Sequence, residues 1–226
     1  MSQLAKPVLT ARTTAKPSLS TSDPTQLKEA VRLIASSVAN EAIIKGGDIG
    51  WLDIRDDDSG FQAVLAPADE SLYSGIAGIG IFLAYARQLA AYDDRRGCID
   101  LCRNKLLARL NSAPSLQTGD WSAFAGLGGT AFSLLHMASL SKDEEVLRIL
   151  NGVDLPSHHL LIENPHSDII AGHAGVILVL LRMFEVLGRA DCLAVARQLG
   201  DGLVGRAARR DGQSSWRSPD FDVALT

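Results

Sequence analysis

The sequence is poor in the features that mark several protein classes. Cysteine is scarce, with three among 226 residues, and an odd count this low excludes a dense disulfide framework. No apolar signal segment opens the chain, and together with free thiols this points to the reducing cytoplasm. Aromatic residues make up only 5% of the chain and leave no evident platform for stacking sugars. Basic residues are not in excess. A net charge of −4 without a basic cluster argues against nucleic acid or an anionic membrane surface as the main partner. The apolar stretches also fall short of the ~20 residues that a membrane helix needs.

What is present suits one globular domain with a large core, since 46% of the residues are hydrophobic and 21% are charged. A small molecule or a peptide is the natural partner. Residues 1–22, rich in Ser, Thr, Lys and Pro with no apolar period, predict a disordered leader or linker ahead of a domain over 23–226.

A glycine pair three residues apart, followed at once by an apolar run, occurs three times. The pairs are Gly75 with Gly78, Gly126 with Gly129, and Gly172 with Gly175, at intervals of 51 and 46 residues. That period fits one helical hairpin per repeat. Glycines three apart share a helix face and let a neighbouring backbone approach closely, and a helix start is where they cost least. The glycine-led runs are apolar nearly all round, whereas the segments that follow them are amphipathic. Inner helices therefore alternate with outer ones, the pattern of an all-α solenoid or a closed α/α toroid.

In chain order, Asp23, Pro24 and Gln26 predict a helix start, and Gly46 with Gly47 predict its stop. Residues 48–70 predict a short β-hairpin or ordered loop, whose Asp56, Asp57 and Asp58 suit a solvated turn better than a cation site. Helices are expected over about 75–92, to about 110, from about 125, from a capping box of Ser141 and Glu144 to Asn151 and Gly152, over 172–188 and 191–207. Cys98 and Cys102 share a helix face and read as core thiols rather than metal ligands. His158, His159 and His166 form a loop cluster that no cysteine completes as a tetrahedral metal set. His136, on an apolar helix, reads as a satisfied core residue.

The ordered set of motifs resembles the lanthionine synthetase C-like family, in particular the cyclase half of class II lanthipeptide synthetases. The residues that carry the resemblance are WLDI at 51–54, SLYSGIAGIGIFLAYA at 71–86, AFAGLGGTAFSLL at 123–135 and DIIAGHAGVILVLL at 168–181. The resemblance implies an α/α toroid of seven hairpins. It also implies a zinc ion that activates a cysteine thiol of a precursor peptide for addition to dehydroalanine or dehydrobutyrine.

About three of the seven hairpins are expected here, because the sequence ends at VALT, residues 223–226, before the family's later histidine and cysteine motifs. No zinc ligand is placed in this chain; zinc is expected in a full-length parent, and an N-terminal fragment of a cyclase domain is expected to be inactive alone. Its uncovered inner helices predict self-association. The resemblance implies that Asp168 is a catalytic acid or base at the cavity. At the same offset, four before the first glycine, the other repeats carry Ser71 and Ser122. A plainer reading of Asp168 is a helix-capping acid. His173, inside the third pair, is a candidate to line the cavity, with a hydrogen-bonded structural role as the alternative. Two other readings remain open at this point, a six-hairpin glycosidase needing two carboxylates, and a non-catalytic helical-repeat binding module.

Overall fold

The computed structural model describes residues 23–56, 63–112, 120–155 and 164–216. The second and third members of the acidic triplet, Asp57 and Asp58, and two histidines of the loop cluster, His158 and His159, lie outside the described residues, as does the leader. Seven helices and three two-stranded hairpins occur among those described.

Helix α1 (Pro24–Asn40) begins as its capping residues dictate. Asp23 Oδ1 accepts the Thr25 N–H at 2.8 Å and Pro24 occupies the first turn. The helix stops before the expected glycines. Gly46 and Gly47, at φ 61° and 83°, instead turn the chain between β1 (Ile43–Lys45) and β2 (Asp48–Gly50), where two left-handed residues match the twist of a tight hairpin. A second antiparallel hairpin follows, β3 (Leu52–Asp56) with β4 (Ala63–Pro67), as residues 48–70 suggested.

Three helical hairpins come next. They are α2 (Ile76–Ala90) with α3 (Cys98–Ser112), α4 (Leu127–Ser141) with α5 (Glu144–Asn151), and α6 (His173–Leu187) with α7 (Ala190–Arg206). The glycine-led helices α2, α4 and α6 pack side by side, with α4 in the middle. Helices α3, α5 and α7 lie against them, and α1 covers α2. Each glycine-led helix ends on a left-handed residue, Ala91, Lys142 and Gly188 respectively, so the repeats match at both ends. The chain closes its described part with a third hairpin, β5 (Ala208–Arg210) and β6 (Gln213–Ser215), turned by Asp211 and Gly212. The sequence carried that signal in its Asp-Gly pair.

One continuous core runs through all three hairpins, with Leu83, Leu106, Leu134, Leu150, Leu180 and Leu199 fully buried. Each such side chain contributes about 1.5–3 kcal/mol through removal of apolar surface from water. The all-α class and the inner and outer layering follow from this arrangement.

Candidate functional site

The three loops that enter the inner helices form one layer. In each, a loop carbonyl receives the first N–H of the helix that follows. Ile76 N–H donates to Asp69 O at 2.9 Å, Leu127 N–H to Asp120 O at 2.7 Å, and His173 N–H to His166 O at 3.2 Å. Two residues further on, Gly129 N–H donates to Ser122 O at 3.2 Å and Gly175 N–H to Asp168 O at 3.4 Å. First-turn donors that a capping side chain would ordinarily satisfy are thus met by the backbone of the loop itself.

This folding-back is what the glycine pairs permit. A Cβ on Gly78 would lie 2.5 Å from Leu72 O, and one on Gly75, Gly126, Gly129 or Gly175 would collide with the carbonyl oxygen of Asp69, Asp120, Ala123 or Ile169. At Gly172 it would lie 2.5 Å from Asp168 N. The crowding backbone belongs to the chain's own incoming loop rather than to a neighbouring helix. The loops are also strapped sideways, with Leu72 N–H donating to Phe124 O at 2.8 Å and Phe124 N–H to Ile170 O at 3.2 Å.

Asp168 sits in the third loop with its side chain 49% exposed. Its carboxylate does not cap the helix. Oδ1 accepts the N–H groups of Ile170 and Ala171 at 2.6 and 2.8 Å, closing a turn within the loop, while Oδ2 lies 4.0 Å from His166 Nδ1. Partial burial pushes the carboxyl up, but the N–H bonds from Ala171 and Ile170, helped by His166, outweigh it and hold Asp168 below the ordinary carboxylate range. It is therefore ionised at neutral pH.

A carboxylate is not confined to the third repeat. Asp69 and Asp120, two residues before the serines at the Asp168 offset, make the equivalent turns, accepting Ser71 N–H at 2.9 Å and Ser122 N–H at 2.7 Å. His166 holds that position in the third loop. The signal was in the sequence as an Asp-x-Ser before each of the first two glycine pairs.

The loops border a hollow of ≈ 320 Å³ lined by Tyr73, Phe124 and Ile170 together with Asp69 and Glu70, and Asp168 is not one of its lining residues. Arg109 crosses its base, donating to Glu70 O at 2.8 Å and Ala125 O at 3.0 Å. Ile170 is the tie to Asp168, since it lines the hollow and its N–H donates to Asp168 Oδ1.

His173 is buried, 1% exposed, at the first turn of α6 and is hydrogen-bonded to Arg206 at the end of α7. Arg206 also donates to Asn164 O at 3.0 Å, so the pair fastens the third loop to the last hairpin. The structural alternative for His173 describes these contacts. His136 is only half satisfied. Its Nδ1 lies 2.8 Å from Tyr85 Oη, while its Nε2 is buried with no hydrogen-bond partner among the described residues, which departs from the expected satisfied core residue.

Cys98, Cys102 and Cys192 are fully buried, and burial pushes the Cys102 thiol up to about 12 and the Cys192 thiol up to about 11. No group of three metal-ligating side chains forms among the described residues.

With the helical hairpins, the paired glycines and the strapped loops in view, the comparison with known families is decisive. The model of lanthionine synthetase C-like proteins matches residues 66–222. The chain belongs to the lanthionine synthetase C-like family. Its helical hairpins are those of an α/α toroid, and the six-hairpin glycosidase reading falls away. No curated protein matches the chain. The family match makes this lanthionine synthetase C-like chain a domain of the synthetase cyclase type, and its three glycine-led loops all lie within the matched span.

Proposed function

We propose that this chain takes part in thioether ring formation on a dehydrated precursor peptide. In that reaction a cysteine thiol adds to dehydroalanine or dehydrobutyrine. A C–S bond forms at the β-carbon, the π electrons move to an enolate, and a proton is delivered to the α-carbon. One S–H and one π bond become one C–S and one C–H bond, so no oxidant or leaving group is needed. Two proton transfers are needed, and Asp168 is the residue assigned to them. An ionised carboxylate takes the thiol proton, and once neutral it returns a proton to the enolate. The observation that carries this reading is an ionised, half-exposed Asp168 that accepts the N–H of Ile170, a residue lining a hollow of ≈ 320 Å³ with apolar and charged walls.

The family implies zinc for thiol activation, and the described residues do not fit it. They gather no ligand set, and their cysteines are buried and protonated. No step is therefore routed through a metal, and these residues supply the peptide-facing surface and the proton carrier. No helix among the described residues is long and apolar enough to cross a membrane. With three free thiols, the proposed setting is the cytoplasm.

The test is a titration of a peptide bearing one dehydroalanine and one cysteine into the isotopically labelled chain, followed by amide NMR. The amides of Phe124, Ile170 and Ala171 are expected to shift, with Asp168→Asn weakening binding about tenfold by removing the charged acceptor next to Ile170. Shifts confined to the outer helices α3, α5 and α7 would overturn the assignment.

A further inference from the structure

A cleft of ≈ 340 Å³ opens at the end of α2 opposite its glycine-led loop. Its walls are α1, through Arg32, Ser36 and Asn40, and the turn between α2 and α3, through Tyr92, Arg95 and Arg96. The 15 residues of α2, about 22 Å of helix axis, separate it from the loops that carry the proposed reaction.

The turn is held against α1 by guanidinium groups. Ala91 ends α2 in the left-handed conformation and reverses the chain. Arg32 Nη1 then donates to Ala90 O at 3.3 Å, and the two Nη groups of Arg96 donate to Ala39 O and Ala42 O at the end of α1. Carbonyls that a helix end leaves open are thereby met by positive charge. The acids nearby are mostly engaged. Glu29 pairs with Arg32 and Asp93 with Arg95, while Asp94 accepts the N–H groups of Cys98 and Ile99 and caps α3. Arg96 meets no carboxylate within ion-pair distance among the described residues, and it is exposed. Two of its five N–H groups bind the carbonyls, so three remain.

Tyr92 supplies a second, independent sign. It is 6% exposed and lines the cleft, yet its hydroxyl has no hydrogen-bond partner among the described residues. Nor is that hydroxyl sealed off from solvent. Burial first, and the Asp94 charge next, push the phenol up to about 12, so it stands as a protonated donor at neutral pH. A polar group this deep in a wall calls for a partner, and the partner of a donor is an acceptor.

We propose that this cleft binds a phosphate group, either free or carried on a small organic molecule. Three guanidinium groups face one lining carboxylate, a balance that suits a dianion. The phosphate oxygens accept from Tyr92 Oη–H and from the remaining N–H groups of Arg96, with Arg95 at the rim. A carboxylate offers only two oxygens to these donors, and a phosphate offers more. Arginine fixed by backbone carbonyls is also preorganised, so little side-chain freedom is lost on binding.

Amide NMR of the isotopically labelled full chain, titrated with inorganic phosphate and with phenyl phosphate at constant ionic strength, tests the site. Circular dichroism checks that each variant keeps the wild-type helicity. The amides of Asn40, Tyr92, Arg95 and Arg96 are expected to shift and to saturate by about 10 mM, as a dissociation constant near or below about 1 mM requires. Acetate should leave them in place. Tyr92→Phe removes the hydroxyl alone, and Arg95→Glu reverses a charge on a side chain 86% exposed. Each is expected to weaken binding about tenfold. Tighter binding of phenyl phosphate assigns the site to an organic ester, and equal binding assigns it to the free ion. The proposal is overturned if neither phosphate gives saturable shifts at these amides, or if acetate moves them equally. Folded Tyr92→Phe and Arg95→Glu variants that bind as the wild type does would overturn it too.

Discussion

At Gly175 an added Cβ would lie 2.8 Å from the Ala123 Cβ and would collide with the Ile169 carbonyl oxygen. The neighbours are backbone and a β-carbon, neither of which can swing aside, so the third loop would have to move. Gly175→Ala is expected to cost about 1–3 kcal/mol, the range for inserting a methyl group into a packed site. Gly200, inside α7, faces open space. There the same change should stabilise by about 0.5–1 kcal/mol, because alanine loses less backbone freedom on entering a helix. Equilibrium urea denaturation of the two variants checks this, and shifts of the same sign would refute the close-approach account. The glycine spacing itself was plain in the sequence. Which backbone approaches was not, because the contact is made by a loop folding back on its own helix. Asp168 was singled out by the family resemblance, with its offset from the third pair as an internal comparison. Its bonding was hidden, since a carboxylate four residues before a glycine serves equally well as a helix cap or a loop turn, and only the backbone path decides.

At the scale of elements, Asp143 joins two helices. Its Oδ1 accepts Val146 N–H at 3.1 Å and caps α5, and its Oδ2 accepts from Arg103 Nε of α3 at 2.6 Å. The Arg103 hydrogen bond, the largest influence, holds the Asp143 carboxyl below the unperturbed 3.8. Because the folded value lies below the unfolded one, the stabilisation is complete above about pH 4 and is lost as pH falls through the folded value. Asp143→Ala is expected to cost about 1–2 kcal/mol at pH 7, as for loss of a cap. Denaturation curves near pH 7 and pH 3 should show the gap from wild type narrowing in acid; a gap that widened would have the sign wrong. The helices themselves were legible from periodicity because apolar spacing is a local property. The end of α1 was not. Its last carbonyls are taken by distant groups, Val38 O by Trp51 Nε1 at 2.8 Å, and Ala42 O just beyond the helix by Arg96 Nη2 at 3.0 Å. No reading of residues 24–47 alone contains those partners. The Asp211-Gly212 hairpin, by contrast, was written locally and passed over.

At the scale of the whole molecule, α4 decides whether the three hairpins behave as one body. It packs against α2, α3, α5 and α6, and its Leu134 is fully buried in the continuous core. Removing that side chain leaves a cavity walled by helices that cannot all close on it at once. Leu134→Ala is therefore expected to cost about 2.7–5 kcal/mol. The core runs unbroken from Ala35 to Leu199, so the loss should be felt by the entire chain rather than by the second hairpin alone. Helicity reports on every hairpin, while tryptophan fluorescence reports on Trp51 near the first helix, Trp121 before α4 and Trp216 after the last strand. Both signals should shift together to the same lower midpoint. If fluorescence and helicity separate in the variant, the hairpins are independent units that happen to touch, and α4 is a neighbour to the others rather than their common wall.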